Sequence, residues 1–492
     1  MTDIAIFPVG QSRVRFSLPL LVGLLCYTGI LTLGDRVLAD ADTYWHIAIG
    51  RWIIAHRAVP IQDFYSFSMP GAAFTPPEWL AEVFIAWIYD HFGWAGLVST
   101  TAFCAAAAIA ILLRILLRAL IPVHALIAVM LAAGVAAPHI LARPHIFALP
   151  ILVVWAAELV RARTENRAPP LWLAAVIIMW ANIHSSYILG LGLVGLLGAE
   201  AVILAADWSQ RFRTAGAWAL FGVLSTAAAL ITPFGVNGLL LPFHLLQMPF
   251  AFSVVGEWLS PNFQQFQPLE VWIIFLLFAG LSFGWRLPPT RVGIVVLLLH
   301  MTLQHTRYAE QLGFITPLLL APALSLQLRE HSGSRTASFL DHAFASLAKP
   351  ANWSGGLLAG ALVFVISAMV LRNGISHDTG PVTPVAAISA AEAQSIEGPV
   401  LNDYNFGGYL IFRGIKPFID GRYFYGDAFI RRYINAVSAK REELPALLSQ
   451  YAIRWTLLQP DSPAVTLLDH LPGWRRLYAD QIAVVHVRES SY

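Results

Sequence analysis

Charge is what this 492-residue chain has least of: Asp, Glu, Lys and Arg together make up 12% of it, where a soluble domain carries about a quarter. That shortage excludes an ordinary soluble fold, and the 57% apolar content with a mean hydropathy of +0.65 points to lipid as the solvent. A formal net charge of only +2, with no dense basic face, excludes a nucleic-acid partner, which must displace phosphate counterions. The only two cysteines, Cys26 and Cys104, fall inside apolar runs, so neither a disulfide framework nor a thiolate metal site is expected. No HExxH or comparable metal spacing accompanies the histidines. The first apolar stretch lacks a small-x-small cleavage site and reads as a retained helix rather than a removed leader. No tandem repeat is seen.

What is there is a series of apolar runs long enough to span, or nearly span, a hydrocarbon core about 30 Å thick. They predict an all-α polytopic membrane protein with about eleven transmembrane helices, near 16–34, 94–113, 121–138, 146–160, 171–184, 187–206, 216–232, 269–285, 292–304, 311–327 and 354–371. With the N-terminus in the cytoplasm, every inner segment is basic: Arg13 and Arg15, Arg114 and Arg118, Arg161, Arg163 and Arg167, Arg211 and Arg213, Arg286 and Arg291, then Arg329, Arg335 and Lys349. The outer segment 233–268 has no lysine or arginine, an asymmetry that fits the positive-inside rule. The expected organisation is a membrane domain over 1–371, with a first outer loop at 35–93 carrying amphipathic interfacial helices, and a small α/β extracytoplasmic domain over 372–492. In that tail, Pro399–Asn402 and Tyr409–Phe412 read as β-like, Gly407–Gly408 as a turn, and Arg441–Gln450 as a helix.

Ionisable residues at membrane depth are costly and are functional candidates by default. Here they collect at outer span ends. Asp40 and Asp42, directly after the first span, can hold a divalent cation (Mg or Mn) between them, or one can act as a base whose pKa its neighbour raises. They can equally cap the next helix. His46 shares a helix face with Asp42. Thr75 and Glu78 match a capping box, which leaves Glu82, one turn later, less well explained. Arg143, flanked by Pro144 and His145, offers a fork suited to phosphate oxygens or to a carboxylate. His184, beside Ser185 and Ser186, lacks the glycine pattern of a nucleophile elbow, so a hydrolase is disfavoured. Thr232–Asn237 reads as turn chemistry, and Glu257 and Arg307 complete the outer set. In the tail, Asp420 and Arg422 either contact an acceptor or pair internally.

An acidic pair with one residue between, just after the first span and followed by Tyr44 and Trp45, resembles the first-loop motif of the GT-C superfamily of integral membrane glycosyltransferases. The blocks Asp40–Gly50, Pro76–Glu82, Arg143–His145, Trp180–His184, Pro233–Asn237, Glu257–Pro261 and Asn402–Arg422 resemble, more closely, an uncharacterised group of bacterial multi-pass proteins placed beside that superfamily. The resemblance implies inverting transfer of a hexosyl or pentosyl group from a polyprenyl-phosphate-linked donor, at the periplasmic face of the bacterial inner membrane, to a glycan, lipid or protein acceptor. It makes Asp42 the general base or a metal ligand and Asp40 its acidic partner. Arg143, His145, His184, Arg307, Glu78, Glu82, Glu257, Asp420 and Arg422 are the expected substrate and phosphate contacts. No WWD-type motif stands in the tail, which argues against protein N-glycosylation. The alternative is a non-catalytic transporter, flippase or assembly protein for lipid-linked glycans; a transporter would favour repeats and broken helices at the bilayer midplane, neither of which is seen.

Overall fold

The computed structural model describes residues 14–245, 247–332, 344–345, 347–377, 380–440 and 442–489. Arg13, Arg335 and Arg441 lie outside them. All eleven predicted runs fall on helices. Among the described residues, six helices are long and apolar enough to cross a membrane: Leu18–Leu38, Trp79–Leu116, Pro122–His139, His145–Thr164, Thr306–Leu328 and Trp353–Asn373. Shorter apolar helices at Leu171–Ile183, Tyr187–Ile203, Val236–Leu245, Pro268–Phe283 and Pro289–Gln304, together with helix Trp208–Ala229, join them, so the count of eleven full spans is not confirmed. Large apolar side chains such as Leu25, Phe103, Met130, Leu281 and Phe364 stay exposed on helix faces, as lipid contact requires. The chain is a multi-pass membrane protein.

The loop after the first span holds the helices that shape the site. Helix α1, Leu18–Leu33, ends at Gly34 and passes through a tight 3-10 turn to Leu38. Helix α2 runs Asp42–His56. Helix α3, Trp79–Leu116, is 38 residues long and breaks at Gly93, whose φ of 59° is available to glycine at little cost. The break separates an outer segment, parallel in role to α2, from the span proper. Helix α2 lies close on α3: a Cβ at Gly50 would fall 2.0 Å from the Glu82 carbonyl oxygen, so only glycine permits the approach.

The tail builds a four-stranded mixed sheet in the order β1-β2-β4-β3, with β1 Val400–Asn402, β2 Trp455–Leu458, β3 Trp474–Ala479 and β4 Val484–Arg488. Strands β1 and β2 are parallel, which demands a crossover, here through helices Gly426–Val437 and Glu443–Gln450. Val400–Asn402 and the 443–450 stretch meet expectation. Tyr409–Phe412 does not: it belongs to a helix, Gly407–Phe412, and the glycine pair opens that helix instead of turning a hairpin. Tyr409, Leu410 and Ile411 are all buried, and a short apolar run buried all round carries no period that tells strand from helix.

Candidate active site

Asp40 and Asp42 sit where the turn after α1 enters α2. One oxygen of Asp40 accepts the backbone N–H of Asp42 at 2.7 Å, and the other accepts Arg143 Nη1 at 3.2 Å, so the capping role and the charge-pairing role coexist in one side chain. Asp42 accepts Trp45 Nε1 at 2.8 Å and pairs with Arg143 Nη2 at 2.8 Å. Arg143 stands in the turn before helix His145–Thr164 and also donates from Nη1 to Glu257 Oε2 at 2.9 Å. The opposite oxygen of Glu257 takes Arg307 Nη1 at 3.0 Å and the hydroxyl of Tyr423 at 2.9 Å. Arg307 lies over the Trp258 ring, 4.2 Å from its centroid. Residues from five distant stretches thus form one network of three carboxylates and two guanidinium groups.

Burial and pairing divide these groups. Burial opposes the charge on Arg143, but Asp40, Glu257 and Asp42 more than offset it and hold the guanidinium charged. Burial likewise pushes Glu257 upward, yet Arg307 and Arg143 outweigh it and keep its carboxylate well below the usual range. Asp42 goes the other way: burial, aided by Asp40 and Glu257, outweighs Arg143 and raises it to about 7.

A second cluster adjoins the first. His46 does not meet Asp42 as helical spacing suggested; its Nδ1 faces Glu82 Oε1 at 3.2 Å, because the i+3 residue Trp45 has taken the aspartate. Glu78 lies with Oε2 3.9 Å from His46 Nε2 and Oε1 3.3 Å from His184 Nε2. Glu78 occupies the N-cap position of α3 without a side-chain capping bond, so the capping-box expectation fails. Its carboxyl is raised by burial to about 7. Both His46 and His184 are held well below the ordinary imidazole value, by burial first and by neighbouring cationic groups next. His145 pairs with Glu310 at 3.4 Å, a carboxylate the sequence reading passed over.

Both clusters border one cavity of about 680 Å³. Arg143, Glu257, Arg307 and Tyr423 line its charged end with Glu78, His46 and His184, while Ile188, Leu189, Leu196, Leu241, Phe243 and Leu297 line the apolar remainder. Asp40, Glu82 and His145 also reach it. Asp42 is not among the lining residues: it is held by Arg143 and Trp45, with Gly421 against it, where a Cβ would come 2.1 Å from its Oδ1. Asp420 does not line the cavity either, and Arg422, which borders it, has each guanidinium nitrogen engaged by Asp420 or by Asp63 of the first loop. That pair clamps the tail to the first loop. Tyr423, the next residue, enters the charged centre instead; its position beside the Asp-Gly-Arg turn was the one available signal for it.

The donor set does not fit the divalent cation that Asp40 and Asp42 suggested. The Arg143 guanidinium already bridges the two carboxylates, and among the described residues no group of three or more His, Cys, Asp or Glu is arranged to hold a metal.

No protein-family model and no curated protein matches the sequence. Solved structures do. ArnT from Cupriavidus metallidurans, in the apo state, is similar over 95% of this chain and 97% of its own, with a TM-score of 0.52 at 14% identity. The archaeal oligosaccharyltransferase AglB from Archaeoglobus fulgidus, in complex with an inhibitory peptide and a dolichol-phosphate, is similar over 90% of this chain and 69% of its own, with a TM-score of 0.50 at 12% identity. Both are membrane glycosyltransferases of the GT-C superfamily, and at such identity the likeness establishes the fold.

Proposed function

We propose that this GT-C-fold membrane protein transfers a sugar from a polyprenyl-phosphate-linked donor to an acceptor hydroxyl at the outer face of a bacterial inner membrane. Residues 1–371 act as the membrane domain and 372–492 as its periplasmic domain. The observation that carries the reading is the two-ended cavity. Its apolar walls suit a prenyl chain and its charged end suits a phosphate, and both lie in one space. AglB, with the same fold, was determined with a dolichol-phosphate, a ligand of that kind.

In the transfer, the acceptor oxygen attacks the anomeric carbon as the sugar–phosphate bond breaks, and negative charge develops on the departing polyprenyl phosphate. Arg143 and Arg307 stand at that end, their charge already fixed by carboxylates, so stabilisation needs no reorganisation. Arg307 donates to Glu257 through Nη1; among the described residues its other N–H groups have no hydrogen-bond acceptor, which leaves them for phosphate oxygens. Proton removal from the acceptor falls to a carboxylate of raised pKa in this centre, either Asp42, to which its place in the sequence points, or Glu78, which borders the cavity.

Protein reconstituted with a polyprenyl-phosphate hexose tests this. Wild type is expected to transfer the sugar, and Asp42→Asn to lose about a hundredfold or more. Undiminished transfer by Asp42→Asn removes Asp42 from the reaction, and glycan export without transfer replaces the whole reading by a transporter.

A further inference from the structure

Two carboxyls in this centre are poised near neutrality, Asp42 and Glu78, but only one of them opens to the cavity. Asp42 already accepts from Trp45 and Arg143 and has Gly421 pressed against Oδ1. Glu78 lines the cavity and no arginine is paired with it, although the two side chains are about equally exposed, 18% for Glu78 and 15% for Asp42.

The hydrogens around His184 fix how Glu78 is held. The backbone N–H of Ser186 points at His184 Nδ1 at 3.2 Å, and the Ser186 hydroxyl, which accepts from Trp180 Nε1, lies 2.8 Å from the same nitrogen. Nδ1 is therefore the acceptor, and in the neutral ring the proton is on Nε2, aimed at Glu78 Oε1 3.3 Å away. That bond orients the carboxylate and leaves Oε2 without a donor. Beyond Oε2 lies His46 Nε2, buried and without a hydrogen-bond partner, and His46 in turn faces Glu82.

We propose that Glu78 is the catalytic base of the transfer and His184 its positioning residue, Asp42 serving to hold Arg143; this rests on the glycosyltransferase reading. The acceptor O–H bond breaks as its oxygen bonds to the anomeric carbon. The proton goes to Glu78 Oε2, and the electrons of the broken sugar–phosphate bond leave with the polyprenyl phosphate. Phosphate charge and proton thus part to different clusters: Arg143 and Arg307 receive one, and Glu78, backed by His46 and Glu82, receives the other. Such a separation of neighbouring ionisable groups into opposite protonation preferences is how acid–base roles are divided in enzyme sites.

The pH dependence follows. Glu78 faces His184 from the segment after helix Val176–Ile183 and His46 from α2, with Arg143, Arg307, His145 and Glu257 across the cavity. Burial is the largest influence and raises it; the arginines oppose. A base works deprotonated, so transfer rises with pH through about 7 and is lost below it.

The test uses full-length protein in proteoliposomes with a polyprenyl-phosphate hexose, and plain polyprenyl phosphate as the binding probe. Glu78→Gln is expected to lower kcat by about 10²- to 10⁴-fold while probe binding is kept. His184→Ala is expected to move the acid limb to higher pH, since the N–H bond that favours the carboxylate is gone, and His184→Gln, which retains an N–H donor, to bring it part of the way back. Infrared titration, read without turnover, is expected to show a carboxyl band lost near neutral pH in wild type that is weaker in Glu78→Gln, the remainder belonging to Asp42 and absent from Glu78→Gln combined with Asp42→Asn. More than a tenth of wild-type transfer in Glu78→Gln, or a near-neutral band undiminished in it, overturns the base role and leaves the glycosyltransferase reading standing. A wild type that transfers nothing overturns that reading and the base role together, an outcome distinct because no variant enters it.

Discussion

Helix His145–Thr164 has a cluster of buried charge at each end, and the two are built differently. At its C-terminal end, the inner one in the proposed topology, Glu200 lies between Arg163, at 3.3 Å, and Arg291, at 3.4 Å, while Arg291 also donates to the Leu319 carbonyl at 2.9 Å. At its outer end Arg143 meets Asp40, Asp42 and Glu257, and Glu257 meets Arg307. The inner cluster has one carboxylate for two arginines and borders no part of the cavity; it ties three helices. The outer has three carboxylates for two arginines and opens on about 680 Å³. Buried charge alone is therefore no mark of a site. A surplus of ionisable groups beside open space is what sets the outer cluster apart.

The comparison breaks most visibly at Glu200. Removing it by Glu200→Ala leaves Arg163 and Arg291 without their carboxylate, and breaking a buried pair on one side costs about 3–5 kcal/mol. Arg163 keeps its bond from Nη1 to Asn166 Oδ1 at 3.0 Å, which puts the expected loss at the lower end. A thermal melt should show the fall in Tm while transfer per folded molecule is unchanged. Transfer that collapses with Tm intact would make the inner cluster functional and erase the distinction.

Arg143 should show the converse. Arg143→Lys keeps the charge but loses the planar fork that reaches Asp40, Asp42 and Glu257 together. A lost transition-state donor is worth roughly 10²- to 10³-fold in rate, so transfer is expected to fall by that factor with Tm nearly unmoved. A variant that retains half the activity and melts early would reduce the outer cluster to a structural tie like the inner one.

How far each cluster could be read from the sequence follows the same divide. The apolar runs reported helices, since solvation by lipid acts residue by residue. The gathering of Asp40, Arg143, Glu257 and Arg307 at span ends was legible for that reason too. Partnerships were not. Helical spacing placed His46 with Asp42, but Trp45, one residue before His46, reached the carboxylate and turned His46 to Glu82. Glu78 looked like a cap because a capping box is local, whereas its histidines come from α2 and from the turn after residue 183. Gly407–Phe412 passed for a strand because burial from several sides erases period. Glu310 carried no pattern at all, and Tyr423 only its place beside the Asp-Gly-Arg turn; contacts across more than a hundred residues placed them.

The finest test concerns how the tail completes the outer cluster. Two glycines let the tail lie flush on the first loop: a Cβ would fall 2.1 Å from the Ala41 carbonyl oxygen at Gly408 and 2.1 Å from Asp42 Oδ1 at Gly421. At Gly421 the conflict is with a carboxylate oxygen that is itself held by Trp45, so neither side yields freely. Overpacking of this kind costs about 1–3 kcal/mol. The displacement in Gly421→Ala falls on Asp42 and so on Arg143, whereas the nearest atom to a Cβ at Gly380 is 3.6 Å away and Gly380→Ala should be silent. The expected result is a roughly tenfold loss of transfer in Gly421→Ala, with a melting temperature only a few degrees lower and donor binding weakened in parallel. Nothing comparable follows from disturbing the inner cluster, which touches no part of the tail. Equal activities in the two glycine variants would mean that the tail merely rests on the first loop and that the charged centre holds its geometry without it.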